Sequence, residues 1–465
     1  MQTYIPLSFV IFILAFCLAL FLCLYKKNIR EIQTLLPVTF ILFFGMYVIP
    51  FGINVTFNHE LGEMIYQNLP FFKNSIAFSF ILSSVFIVGF AGCYNYLKIN
   101  FFKKNKTEEI IPKLLTLTEK IILGVLTLIS LLLLQILGKD SGGLWGLILK
   151  GYNVTELFIG KGHLVNAFSW LCGIVLLFLA NAFLEKKSRI KINLWIASLI
   201  FIMLIFAIMG RRGVIIVLFL ASIFLYHFTY KNMGIIRLIL LCLIMFFSLN
   251  NIGLIRKSNY KNLGDVISNF EKKNFGNKNS GSEKSRSKKW TSKIYVFTTG
   301  QFAQPYQTFP HMIERQGEDY TYGFGKYHFQ QFALIVPNAL WKDRPLTLAQ
   351  DYAKNYRNAE KLNQGILFFA LAVGYMDFGW FGIILYCILI ATIIKFLAGL
   401  FLAYKKDVLI VTFTAIIFGN LMSLVISDPI SSTIVLIKGM LFPVIIIFLF
   451  RWMRNFFWKG TKKIA

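Results

Sequence analysis

The sequence predicts an all-α polytopic membrane protein, and two observations lead to that fold class. First, 57% of the 465 residues are hydrophobic, and the mean hydropathy is +0.65. Second, the apolar residues are gathered into several uncharged stretches of about 17 residues or more, which is close to the length that crosses a bilayer as a helix. Because the backbone must satisfy its own hydrogen bonds in lipid, stretches of this length are expected to be helical.

We expect 11 membrane spans and one long outer loop. The first span has no basic residue before it and Lys26 and Lys27 after it, which is the reverse of a cleaved signal peptide. We therefore interpret it as a retained span whose N-terminus lies outside. The predicted spans are 4–25, 34–55, 74–97, 120–138, 164–184, 194–210, 214–230, 235–255, 376–403, 408–426 and 433–450.

The distribution of lysine and arginine supports this topology independently. The six connections predicted to face inward carry 22 of these residues, whereas the four short connections predicted to face outward carry 6 over a similar total length. This bias is what the positive-inside rule predicts for a membrane protein with its N-terminus outside and its C-terminus in the cytoplasm. It also accounts for the net charge of +27 without nucleic acid as a partner, and the chain carries no nucleic-acid-binding motif.

The six cysteines all fall inside predicted spans, and no pair has metal-ligand spacing. Neither a disulfide, a metal site nor a cofactor is therefore expected. No internal repeat is visible, so the sequence gives no support for the inverted-repeat architecture of many transporters.

The predicted topology divides the chain into three regions: 1–255 with spans 1–8, a large periplasmic loop over 256–365, and a C-terminal region over 366–465. Within the loop, 257–293 is polar and basic, and we predict a flexible strip that either attracts anionic lipid or acidic glycan or is only a spacer. The rest of the loop, 294–365, is rich in aromatic and turn residues and predicts a folded subdomain on the membrane face.

The apolar run 366–403 is too long for one span. As a helix it would measure about 57 Å at about 1.5 Å per residue. Gly374, Gly379 and Gly382 are expected to break it, leaving a re-entrant segment followed by the ninth span.

Arg211 and Arg212 occupy a tight connection, "IMGRRGV", on the predicted outer face. They are either an interfacial anchor or an anion site. The outer position, the flanking glycines and the absence of acidic residues within twenty positions favour the anion site. Arg256, which ends the eighth span, is either a terminal cation or a neighbour in the same site. Lys438 is interpreted as the one charge well inside a span, where it snorkels outward or adds to that site.

Acid–base candidates lie in the outer loop and beside it. His311, Glu314 and Arg315 fall on one helical face, which indicates either a solvated turn or a base, an orienting carboxylate and a phosphate clamp acting together. Glu360, Asp377 and Asp428 are the other candidate bases on the outer face, and Arg344 is a further loop cation. The segment 323–328, "GFGKYH", is interpreted only as a turn.

Three motifs together resemble the bacterial O-antigen polymerases (Wzy), also called oligosaccharide repeat unit polymerases. They are the "GRRG" connection, "IVPNALWKDRP" at 335–345 and "VGYMDFGWFG" at 373–382. In the family the closing segment often reads Gly-Glu-x-Tyr-x-Asn-Phe-Gly. Here the glutamate is missing, so any role it has must fall to Asp377 or elsewhere.

The resemblance implies a glycosyltransferase that joins undecaprenyl-diphosphate-linked repeat units at the periplasmic face of the inner membrane. It also implies a lipid-using GT-C-like architecture, no required metal, and a polysaccharide chain-length regulator as a candidate partner beside membrane lipids. By this analogy Arg212, Arg211 and Arg256 bind the donor diphosphate, and Arg315 or Arg344 completes the clamp.

Two other functions are kept as alternatives. An O-antigen ligase would use the same donor chemistry with a lipid A core acceptor. A flippase or other transporter of lipid-linked glycans belongs to a different class, and the sequence disfavours it because the predicted spans contain no acidic relay and no repeat.

Overall fold

The computed structural model describes residues 4–25, 31–57, 73–97, 112–149, 162–186, 188–209, 211–233, 237, 304–319, 321–336, 341, 343, 345–357, 368–426 and 429–461. The basic strip 257–293, Arg256, Arg344, Glu360, Asp428 and nearly all of the predicted eighth span lie outside these residues.

The described residues form helices and no β-strand. The α-helices are α1 (Tyr4–Leu24), α2 (Ile32–Phe57), α3 (Lys73–Tyr96), α4 (Leu117–Gly138), α5 (Gly143–Leu149), α6 (Gly162–Glu185), α7 (Arg189–Ile208), α8 (Arg212–Leu225), α9 (Gln304–Glu314), α10 (Lys326–Gln331), α11 (Leu348–Arg357), α12 (Ala370–Tyr404), α13 (Val408–Gly419), α14 (Ser423–Ile426), α15 (Pro429–Lys438) and α16 (Phe442–Thr461). One π-helical turn, Tyr226–Tyr230, follows α8.

Eight of these helices are long and apolar enough to cross a membrane, namely α1, α2, α3, α4, α6, α7, α8 with its π-helical turn, and α12. The predicted class of a multi-pass helical membrane protein is thus confirmed.

Near the C-terminus the predicted spans differ from the structure. The predicted span 408–426 is not one helix, because the 12-residue helix α13 ends at Gly419 and the short helix α14 begins at Ser423. The predicted straight span 433–450 is broken, because α15 and α16 meet at an angle of 65°. Pro443 explains the break, since proline fits the first turn of a helix but has no N–H to continue the one before it. Met440 in the break approaches α6 so closely that a Cβ on Gly173 would lie 2.1 Å from its carbonyl oxygen.

The chain divides into two compact units. The first contains Met1–Phe101, Ser280–Gly399 and Leu421–Ile434, and the second contains Phe102–Asn279, Leu400–Asn420 and Val435–Ala465.

In the first unit α1, α2 and α3 pack through phenylalanines. Phe12 of α1 lies 6.2 Å from Phe44 of α2, and Phe44 lies 5.1 Å from Phe86 of α3, measured between ring centroids. Helix α9, from the predicted outer loop, packs against α2 and α3. Its Tyr306 is fully buried, stacks on Phe80 at 5.7 Å and shares hydrogen bonds with the hydroxyls of Ser79 and Ser83.

In the second unit a bidentate ion pair joins Arg451 of α16 to Glu119 in the first turn of α4. The Arg451 Nη1 also donates to Asp407, the N-cap of α13, at 3.2 Å. Another contact lies on α8, where Phe224 packs on Phe418 of α13 with 5.1 Å between ring centroids.

Candidate acid–base site

The site is built on a sharp break in α12. Gly379 has φ 61° and ψ −145°, a backbone conformation that essentially only glycine adopts, and it divides α12 into a first arm, 370–378, and a second arm, 380–404. The two arms touch, because a Cβ on Gly382 would lie 1.9 Å from the carbonyl oxygen of Gly374. The predicted glycine break of the long apolar run is confirmed at Gly379. Gly374 and Gly382 do not break the helix but allow the backbones of the two arms to contact each other.

The first arm places Asp377 beside the break, with its side chain fully buried. One carboxylate oxygen accepts hydrogen bonds from the backbone N–H groups of Gly325 at 3.0 Å and Tyr327 at 3.1 Å. The other accepts from the N–H of His328 at 3.1 Å. Asp377 therefore caps the start of α10, and charge-assisted bonds of this kind hold both partners in place.

His328 completes a chain of three side chains. Its Nδ1 hydrogen-bonds to the Asp377 carboxylate, and its Nε2 lies 2.7 Å from the hydroxyl of Tyr386 in the second arm. With the proton on Nδ1 donated to the carboxylate, Nε2 presents its lone pair and the Tyr386 hydroxyl donates to it. The His328 side chain is 18% exposed, so the imidazole lies close to the protein surface.

Aromatic residues lie around the three side chains of Asp377, His328 and Tyr386. Burial, together with the nearby Asp377 carboxylate, raises the pKa of Tyr327, so its phenol stays protonated at neutral pH. Phe324, Phe329 and Trp380 are exposed near the same break. An imidazole oriented by a carboxylate, with a hydroxyl at its other nitrogen and exposed rings nearby, is suited to take a proton from a hydroxyl of a bound molecule that replaces the Tyr386 hydroxyl.

No family model, curated protein or solved structure matches this chain. The resemblance to oligosaccharide repeat unit polymerases therefore stays a prediction from short motifs. The geometry around Asp377 is an independent observation, because it does not depend on those motifs being shared.

In the structure His311, Glu314 and Arg315 each contact different partners. His311 is fully buried, and its Nδ1 lies 3.0 Å from the hydroxyl of Tyr352 in α11. Glu314 accepts a hydrogen bond from Ser75 of α3. The predicted common helical face does not gather these three side chains around one open point.

Arg315 pairs within its own turn. Its Nη1 lies 3.1 Å from Glu318, and its Nε lies 3.6 Å from Asp319. Two carboxylates already neutralise this guanidinium, which weakens it as a clamp for a diphosphate.

Arg211 and Arg212 start α8 in the second unit. Arg211 is the N-cap residue, its backbone N–H donates to the carbonyl of Phe206 at 2.9 Å, and both side chains are half-buried. Two cations at a helix N-terminus work against the helix dipole, so this position is unfavourable for helix stability. The predicted partners Arg256 and Arg344, and the candidate base Glu360, lie outside the described residues.

The interpretation of Lys438 as the one charge inside a span is wrong, because Lys395 also lies inside a helix long and apolar enough to span a membrane. Lys438 is the last residue of α15, at the bend, where a cation favours the end of a helix. Lys395 lies well inside α12, and its Nζ donates to the carbonyl oxygens of Tyr94 and Leu97 at the end of α3. Those carbonyls lack helical partners, so Lys395 satisfies them.

Sequence reasoning missed His328 and Tyr386. "GFGKYH" was interpreted as a turn, whereas the structure makes it the capped start of α10. His328 is 49 residues from Asp377, and Tyr386 is 58 residues from His328, so no local spacing joins them. The one local signal is the pair of glycines before His328. It indicates a site only when the carboxylate that accepts from the following backbone N–H groups is known. Among the described residues no group of three His, Cys, Asp or Glu side chains has the arrangement of a metal site.

Proposed function

We propose that this chain is a membrane glycosyltransferase that joins oligosaccharide repeat units carried on undecaprenyl diphosphate into a surface polysaccharide. One observation carries the proposal: His328 is oriented by the buried carboxylate of Asp377 and lies near the surface at the break of α12. A base held in this way is what a transfer to a sugar hydroxyl requires.

In the proposed reaction an acceptor hydroxyl takes the place of the Tyr386 hydroxyl at Nε2 of His328. The hydroxyl oxygen attacks the anomeric carbon of the donor glycan, and its proton passes to Nε2. The bond between that carbon and the diphosphate oxygen breaks, and the electron pair leaves with undecaprenyl diphosphate. Asp377 stabilises the imidazolium that forms.

For the anionic leaving group, the resemblance implies that the diphosphate is bound by Arg211 and Arg212, which start α8 in the second unit. A guanidinium binds diphosphate oxygens through two parallel hydrogen bonds, and the half-buried position of both side chains strengthens such bonds. The lysine and arginine distribution supports a reaction at the outer face of the membrane, and the resemblance implies that this is the periplasmic face of the bacterial inner membrane.

The test compares His328→Ala with Tyr327→Phe in cells that make the polysaccharide. Loss of a general base lowers the rate by about 100- to 10,000-fold, so His328→Ala is expected to abolish long glycan chains at an unchanged protein level. Tyr327→Phe is the matched control, because it keeps the backbone N–H that binds Asp377 and removes only a distal hydroxyl. Chain lengths are measured by gel electrophoresis of the extracted glycan.

Normal chain lengths in the His328→Ala strain would overturn the assignment of the base. The deletion strain separates the related functions. Loss of a polymerase leaves one repeat unit on the core, whereas loss of a ligase accumulates long polymer on undecaprenyl diphosphate.

A further inference from the structure

The segment that carries His328 has its polarity reversed relative to a water-facing helix. It comprises α10 and the 3₁₀-helix Phe332–Ile335 that continues it. Its polar side chains His328 and Gln331 face the protein, and Gln331 is buried. The side chains that it exposes are the apolar Phe329, Phe332 and Ile335 and the cation of Lys326.

The outward face is strongly exposed. Phe329 is 73% exposed, and Phe324, just before α10, is 77% exposed. Phe332 and Ile335 are exposed as well, and 329, 332 and 335 follow each other at a spacing of three residues, which places them on one side. A face of this composition is unfavourable in water and favourable against hydrocarbon.

The exposed face continues onto α12, a helix long and apolar enough to span a membrane. Phe324 contacts Phe378 at the break, with 6.4 Å between ring centroids. Directly after the break Trp380 is 62% exposed and Phe381 is exposed. Below them the second arm exposes an apolar stripe made of Ile384, Leu385, Ile388 and Leu389.

This continuity identifies what covers the segment. An exposed apolar stripe on a spanning helix faces lipid, and aromatic residues at its end are typical of the membrane interface. Lys326, the exposed cation of the segment, is suited to reach the phosphate layer.

We propose that the segment from Phe324 to Ile335 lies in the bilayer interface, with Phe324, Phe329 and Phe332 inserted among the lipids. The partner is the lipid bilayer around the protein. One consequence rests on the proposed function: the segment holds His328 at the depth where the diphosphate of a membrane-bound substrate lies.

Spin labelling tests the proposal on the full chain. Phe329→Cys and Phe332→Cys are labelled, one at a time, in a background whose six native cysteines are replaced by alanine. The protein is reconstituted in vesicles of phosphatidylcholine and phosphatidylglycerol. Ile388→Cys is the lipid-facing reference, and Glu318→Cys, whose side chain is 69% exposed in a loop, is the aqueous reference.

We expect both labels to collide with oxygen as often as the label at 388 and to collide with a water-soluble nickel chelate several-fold less often than the label at 318. Frequent collisions with the nickel chelate would show that the segment faces water and would overturn the proposal. Rare collisions with both reagents would show that protein, such as a second copy of this chain, covers it, which also overturns the proposal. The measurement needs no substrate. Its outcome is therefore independent of whether His328→Ala abolishes long glycan chains.

Discussion

Arg451 illustrates how single residues hold this protein together. Its guanidinium donates to both carboxylate oxygens of Glu119, at 2.8 and 3.0 Å, and to the carbonyl of Leu114 at 3.1 Å. The carboxylate of Glu119 is fully buried. A buried charge of this kind is tolerated because every charged group has a partner.

Arg451→Met is expected to lower the free energy of unfolding by about 3–5 kcal/mol, because it leaves the carboxylates of Glu119 and Asp407 without their cation. Thermal unfolding in detergent measures the change. Arg454→Met is the control: this exposed cation also attracts the carboxylate of Glu119 but makes no hydrogen bond to it, so its replacement should have a clearly smaller effect than Arg451→Met. Equal effects of the two substitutions would contradict the assigned role of the ion pair.

At the residue scale the sequence predicts charge placement but not pairing. Lysines and arginines could be sorted by side of the membrane, because that depends only on counting. The partner of Arg451 lies 332 positions away, and the chain from Asp377 through His328 to Tyr386 joins three distant segments. Such pairs are set by tertiary packing, which a single sequence does not reveal.

Among the elements, α12 shows most clearly what a sequence can predict. Its apolar run exceeds the thickness of a bilayer, so a break is required, and glycine is the residue that permits one. The sequence offers three glycines, and only the structure distinguishes Gly379, which has positive φ, from Gly374 and Gly382, which let the arms touch. The bend before Pro443 was missed because the apolar pattern continues through it.

Gly379→Ala is expected to destabilise the protein by about 1–3 kcal/mol, because alanine does not readily adopt this backbone conformation. Its Cβ would also lie 3.0 Å from the Tyr322 hydroxyl. Gly92→Ala in α3 is the control: its Cβ would meet no atom within 4 Å, and alanine favours a helix interior. A thermal midpoint for Gly379→Ala at or above that of the parent would contradict the strained break.

For the whole molecule the sequence predicts a helical multi-pass protein, and the described residues agree. Hydropathy is sufficient for this, since it needs no knowledge of which helix contacts which. The sequence also predicts which side each connection faces, and that prediction can be tested directly.

We expect the C-terminus to lie in the cytoplasm. A green fluorescent protein fused after Ala465 should therefore fluoresce, and alkaline phosphatase at the same position should be inactive. A fusion of each reporter after Lys26 is the internal reference, since this connection is also predicted to face inward. Active phosphatase at the C-terminus would reverse the topology and place the break of α12 on the other side of the membrane.

The most direct measurement of the central claim uses the purified full chain in vesicles with a defined oligosaccharide unit on undecaprenyl diphosphate. We expect lipid-linked products longer by whole units, with one undecaprenyl diphosphate released for each new glycosidic bond. Movement of the lipid across the bilayer without any new glycosidic bond would contradict the account and indicate a transporter.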